Sequence, residues 1–239
     1  MRQGSRTRRT ARLLGVLLGL GVAPMSFGFA PLGFAPLGFG AAPLAAQDAA
    51  PRLPFGSRAV VMPLQSARPT PGGAWPGRTS SQEEAVRAMD AEFAFALGSR
   101  RSAENWALPD AVRRRVERNP LIEVNPDRLA FQGLLARPDK RDQIYEPLHG
   151  QLRTLAALFG TRYVVLPLLL RVLAVEGADP EMQCGDAAPE QAELLFALID
   201  IRRSAVLWHG TVKSGASCPD SGALLAMLAS AVTYEITDS

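Results

Sequence analysis

The alternation of apolar and polar positions becomes regular at Arg58, where Arg58-Ala59-Val60-Val61-Met62-Pro63-Leu64-Gln65 reads as a buried strand closed by turn chemistry. The stretch Ser66–Thr79 holds three prolines and three glycines and reads as a long loop. Val86, Met89, Phe93 and Leu97 then recur at spacings of three and four, the apolar stripe of a helix that ends near Gly98. Ser80 or Ser81 opens it, with Glu83 or Glu84 three residues on to satisfy free N–H groups reciprocally. Asn105–Leu108 is a short strand candidate, Pro109-Asp110 opens a brief basic helix that Pro120 stops, and Asn125 caps a short helix begun by Pro126 and carrying Leu129, Leu134 and Leu135. Leu148, Leu152, Leu155 and Phe159 give another stripe, stopped at Gly160.

Tyr163–Val175 is a long apolar run that Arg171 alone interrupts, and Pro167 inside it demands a bulge, a bend or an edge position because proline cannot donate to a ladder. Two strand-like runs follow, Glu193–Arg202 and Ala205–Ser214, joined by a short turn. Asp220 or Ser221 caps a last helix that uses Leu224, Leu225, Leu228 and Val232. This order predicts an α/β fold of the mixed α+β kind, a single mixed sheet of about five strands with a C-terminal three-strand meander, covered by helices. Residues 58–239 form one domain on this reading, and a domain of ~190 residues buries about 70% of its unfolded-chain surface.

The N-terminal segment changes the picture of charge. Arg2, Arg6, Arg8, Arg9 and Arg12 precede the apolar run Leu13–Val22, too short to span about 30 Å of hydrocarbon, and small residues close the segment at Leu44-Ala45-Ala46. Residues 1–46 therefore read as a secretory signal peptide cleaved before Gln47, with an uncleaved N-terminal anchor helix as the alternative, and 47–57 as a disordered Pro/Ala-rich lead-in. The chain's formal charge of +3 comes from that segment, since the remainder has 21 basic against 23 acidic residues. A nucleic-acid footprint needs a surplus of Lys and Arg and is not expected. No cysteine near the cleavage point offers a site for lipid attachment. Export to an oxidising compartment favours pairing of Cys184 with Cys218, the two cysteines of the chain, and folding the hairpin brings their segments to one end. Such a bridge contributes about 3–4 kcal/mol in the chain-entropy view.

Candidate chemistry is sparse. His149 and His209 are the only histidines, and no spacing brings carboxylates to them, so no metal ligand is assigned. Neither a nucleophile elbow nor a phosphate loop is present, and Gly72-Gly73 lacks the Lys-Ser/Thr that would hold phosphate. No catalytic residue, cofactor or small-molecule substrate is expected. Asp200 reads as a turn residue accepting local backbone hydrogen bonds. Trp208 suits a core plug or an interface anchor. The run Arg113, Arg114, Arg115 and Arg118 reads as a solvated helix face, with peripheral contact to anionic headgroups as the alternative. Trp75, a large aromatic among Pro and Gly, is the best candidate for a partner contact, flanked by Arg68 and Arg78.

Three stretches carry a family resemblance: Ala59-Val60-Val61-Met62-Pro63-Leu64, Phe159-Gly160-Thr161-Arg162-Tyr163-Val164-Val165-Leu166, and Leu198 through Val212 with Asp before the hairpin turn and Trp-x-Gly after it. Together they resemble the small α/β domain of the TolB N-terminal part and of CsgG-like envelope lipoproteins, over about residues 58–236. Ser204 stands where that family's turn has glycine, and Pro167 where it tends to have glycine. The resemblance implies a periplasmic or secreted accessory domain that binds a protein partner in the cell envelope, and it transfers no catalytic residue. The alternatives are a small hydrolase or transferase built on His149 or His209, and a soluble subunit of an envelope export complex.

Overall fold

A computed structural model describes Leu53 and residues 56–70, 74–136, 142–175, 184, 187–219 and 223–237, all within one compact unit, Gln47–Ser239. The expected signal segment and the caps Asp220 and Ser221 lie outside the described residues. In chain order the elements are β1 (Ala59–Val61), α1 (Gln82–Gly98), α2 (Pro109–Glu117), α3 (Gln132–Ala136), α4 (Leu148–Leu158), β2 (Tyr163–Ala174), β3 (Glu190–Asp200), β4 (Ala205–Ser217) and α5 (Ala223–Thr237). They form a mixed sheet of four strands in the order β1-β2-β3-β4, in which β1 runs parallel to β2 and β2-β3-β4 is an antiparallel meander. Among the described residues no helix is long and apolar enough to cross a membrane.

The expected fifth strand is reduced to one bridge, Ala107 beside Val60. The 3-10 turn at Arg101–Ala103 draws in the next residues, with Trp106 N–H donating back to the Ala103 carbonyl, so Ala107 alone pairs before α2 starts at Pro109, and Trp106 sinks into the core with its indole N–H donating to the Ser57 carbonyl at 3.0 Å. That bond and the buried Leu53 anchor the end of the expected disordered lead-in. The helix expected from Pro126 is also absent: the Asn125 side chain accepts from Asp127 N–H at 2.9 Å, which makes a turn, and α3 begins only at Gln132. The loop after β1 is more ordered than its prolines suggest. It stays hydrogen-bonded along β2 as far as Arg68, whose N–H donates to the Leu170 carbonyl at 2.9 Å. It then makes a 3-10 turn at Pro76–Arg78, where Gly77 has φ +71° and a Cβ would meet Leu225 of α5 at 2.7 Å.

Helix α1 starts as its sequence predicts. Ser81 Oγ accepts from Glu84 N–H at 3.2 Å while the Glu84 carboxylate accepts from the Ser80 N–H and hydroxyl, both at 2.8 Å. The end of α4 is set by Gly160 at φ +59°, with Gly160 and Thr161 N–H groups donating to the Ala157 and Ala156 carbonyls. In β2 the register slips between Pro167 and Leu169, so Leu168 is extra and the inward alternation changes phase. Val165 before the bulge and Leu170 and Val172 after it share one face as a result, packed with Met89, Phe93 and Leu97 of α1 and Leu228 and Val232 of α5. The other face carries Val164, Leu166 and Ile199 under Val112 of α2 and Leu148, Leu152 and Leu155 of α4.

The hairpin motif has a packing explanation. Trp208 and Gly210 are two apart on one face of β4, and a Cβ on Gly210 would lie 2.3 Å from the Trp208 ring. Without it, Trp208 folds back along its strand and meets Phe196, the cross-strand partner of Gly210, with ring centroids 4.5 Å apart. Cys184 and Cys218 are bonded, with Cα atoms 5.2 Å apart, joining the β2–β3 connection to the end of β4.

Candidate functional site

The turn between β3 and β4 is built on Asp200, whose side chain accepts from Arg202 N–H at 3.1 Å and whose carbonyl accepts from Arg203 N–H at 3.2 Å. The same carboxylate is gripped by the Arg162 fork, through two 2.9 Å bonds from Nε and a contact from Nη2. Those Arg162 hydrogen bonds hold the Asp200 carboxyl below the usual carboxylate range even though burial pushes the other way. The turn closes on Ser204, which has φ +53°, a left-handed conformation that glycine adopts without strain and serine does not.

Ser204 faces helix α4. Its Oγ lies 3.0 Å from His149 Nε2, and His149 Nδ1 lies 3.4 Å from Glu146 Oε1. Glu146 also accepts from Gly150 N–H at 3.0 Å, which fixes its carboxylate over the start of α4. A Cβ on Gly150 would approach that carboxylate to 2.8 Å, so glycine makes room for the arrangement. Beside the pair opens a cleft of about 440 Å³ lined by His149, Arg153, Thr161, Ile201, Arg202 and Ser204 over an alanine floor. The order Glu–His–Ser matches the orientation of a nucleophile by a base. The backbone N–H groups around it are engaged, however. Arg203 donates to Asp200, Ser204 to Ile201, Ile144 to the Ser204 carbonyl and Val206 to Asp142, so none of these amides is free to stabilise an oxyanion.

A second polar centre joins α1 to α2. Asp90, 3% exposed, accepts from Leu64 N–H at 3.0 Å and from Arg113 Nη2 at 2.5 Å. Arg113 reaches on to Asp127 at 2.7 Å and Asp110 at 3.0 Å. Burial pushes the Asp90 carboxyl up to about 6 against the pull of these bonds, while the hydrogen bonds Arg113 donates to Asp127 and Asp90, with their negative charges, outweigh burial and raise Arg113. Next to it Gln65 is buried with its amide donating to the Pro63 and Pro126 carbonyls and its carbonyl accepting from Leu129 N–H, which pins the 126–129 turn to the end of β1. A third centre crosses the sheet, where buried Glu193 on β3 takes Arg171 of β2 at 2.6 Å and Lys213 of β4 at 2.7 Å. Burial alone would raise Glu193, but the bonds from Lys213 and Arg171 bring it below the usual range.

The expected contact residues do not converge on the cleft. Trp75 is half-buried, packed on the core face covered by α1 and α5, and Arg68 is exposed. Arg78 closes the 3-10 turn, with its side chain outside the described residues. Of the basic run, Arg113 points inward while Arg114, Arg115 and Arg118 are exposed. His209 sits on β4 opposite Ala197 and does not line the cleft that holds His149. Among the described residues no group of three or more His, Cys, Asp or Glu is placed to hold a metal ion. Sequence reasoning missed Gln65, Asp90 and the joining of Ser204 to His149. Asp90 was marked in the pattern, since it follows Met89 on the apolar stripe of α1, and Ser204 was marked as a departure from glycine.

No protein-family model matches the chain, and no curated protein does. Solved structures of several bacterial proteins are similar to it. They include a PelC dodecamer from Paraburkholderia phytofirmans, with 14% identity, 79% of this chain and 94% of that one covered, and a TM-score of 0.39. The LpoB C-terminal domain from Salmonella enterica has 11% identity, coverage of 67% and 84%, and a TM-score of 0.32. The lipoprotein GNA1162 from Neisseria meningitidis has 20% identity, coverage of 77% and 99%, and a TM-score of 0.36. Likenesses of this strength assign no partner, activity or residue role to this chain.

Proposed function

We propose that the protein is a non-enzymatic binding or assembly domain of the bacterial cell envelope, periplasmic or secreted, that engages a protein partner through the loop Ser66–Thr79. The arginine-led apolar segment Leu13–Val22 acts as its export signal, removed before Gln47. The observation that carries the reading is the Cys184–Cys218 bond, which belongs to an oxidising compartment and closes the open end of the meander. Trp75 supports the contact: it is only partly buried, on a segment held in place by β2 and α5, and Arg68 of the same loop is exposed. A tryptophan that is already positioned loses little freedom on binding, which suits it to anchor an interface.

Proximity labelling in the native envelope combined with fractionation tests this. The expected result is a labelled envelope protein in the exported fraction, with labelling reduced by Trp75→Ala. Since the indole also packs on the core, that substitution costs about 1–3 kcal/mol of stability as well; a large stability loss with unchanged labelling refutes the Trp75 contact. A second reading, a serine hydrolase, is favoured by one observation, the placement of His149 between Glu146 and Ser204. A fluorophosphonate probe decides it: labelling abolished by Ser204→Ala supports the hydrolase, and no labelling at Ser204 removes it.

A further inference from the structure

We infer that the cleft beside the β3–β4 turn is a binding site for a phosphate group, free or carried on a phospholipid headgroup. Arg153 projects into it from α4 and Arg202 from the turn, and neither guanidinium has a carboxylate partner among the described residues. The acids on the adjoining turn and at the start of α4 are committed elsewhere: Asp200 is closed by Arg162, and Glu146 is held by Gly150 N–H and His149. Among the described residues no carboxylate lines the cleft, while His149 and Ser204 present polar atoms to it. The floor lies at the end of α4, whose carbonyls would repel an anion, but those of Ala156 and Ala157 are capped by the N–H groups of Phe159, Gly160 and Thr161.

With no carboxylate partner among the described residues, the two guanidiniums can each offer forked N–H donors to phosphate oxygens, balancing the two charges of free phosphate and exceeding the single charge of a headgroup phosphodiester. Ser204 adds the reason for its own backbone conformation. A serine kept at φ +53° sustains strain that glycine would avoid, and what it gains is a hydroxyl fixed by His149 at the mouth of the cleft.

The test is titration of the full-length protein with inorganic phosphate against chloride at equal ionic strength, followed by backbone amide NMR, alongside flotation with phosphatidylglycerol and phosphatidylcholine vesicles. Arg153→Ala, Arg202→Ala and the double variant are run in parallel. Both arginines are exposed, so the variants fold, and the unchanged NMR spectrum outside the cleft verifies it. Saturable phosphate binding with shifts at Arg202 and Ser204, weakened at least about tenfold by either substitution, establishes the site with free phosphate as ligand. Binding to phosphatidylglycerol vesicles alone, lost in the double variant, establishes it with the headgroup as source. Absence of both, or binding that survives the double variant, overturns it.

Discussion

Two aspartates, Asp90 and Asp200, are each almost fully removed from solvent and each meet an arginine, yet they titrate in opposite directions. Asp200 sits at a chain turn near the surface, where Arg162, itself a third exposed, and the turn's own amides surround it with donors. Asp90 lies between α1 and the end of β1 with one backbone N–H, and its arginine is shared with Asp127 and Asp110. A buried carboxylate keeps its charge cheaply only where the donors belong to it alone. Divided donors leave the desolvation cost uncovered.

The largest expected effect separates the two arginines. Arg113→Met strands Asp90 in the core and should cost about 3–5 kcal/mol at pH 7, with a fall in Tm of about 10 °C. The loss should shrink as the pH is lowered and Asp90 takes up a proton. Thermal melts at pH 5 and pH 7 measure both, and a Tm within a degree or two of the parent at pH 7 would show that the α1–α2 junction is not held by this pair. Arg162→Met leaves Asp200 with its turn amides and a nearby Arg203, so a clearly smaller loss of stability is expected. A loss as large as that of Arg113→Met would erase the distinction.

The pH dependence follows from the same contrast. With its carboxyl raised to about 6, Asp90 contributes stability that is full below its ordinary value of 3.8 and is lost as pH rises through about 6. Asp200 and Glu193, both lowered, contribute above their ordinary values of 3.8 and 4.5 and lose it as pH falls further. Denaturant unfolding between pH 4 and 6 should therefore show a decline toward pH 6 in the parent that Asp90→Asn removes. An unchanged slope in the variant would place the proton elsewhere. The smallest effect is expected at the other end of the comparison: Ser204→Gly relieves the strain at φ +53° and forfeits the bond to His149, for a net change below about 1 kcal/mol.

The fold was largely legible because its signals are local. The stripe from Val86 to Leu97, the Ser81 and Glu84 cap, Gly160 and the proline-driven bulge in β2 each announce themselves within a few residues. The failures share a cause too. Asn125-Pro126 can open either a helix or a turn, and the choice was made by Gln65, about 60 residues away, which accepts from Leu129 N–H. Asn105–Leu108 had strand composition, but its first residues are drawn into the preceding turn by the Trp106 N–H bond to the Ala103 carbonyl. The site was less legible than the fold. Ser204 and His149 are 55 residues apart, and only the folding of the hairpin against α4 brings them to 3.0 Å.

The most direct measurement of the proposed role is site-specific photo-crosslinking in intact cells from position 68, with exposed position 115 on α2 as the control. A discrete envelope-protein adduct from position 68, absent from position 115 and lost on Trp75→Ala, is the result the binding-domain account predicts. No adduct, or the same adducts from both positions, would contradict it.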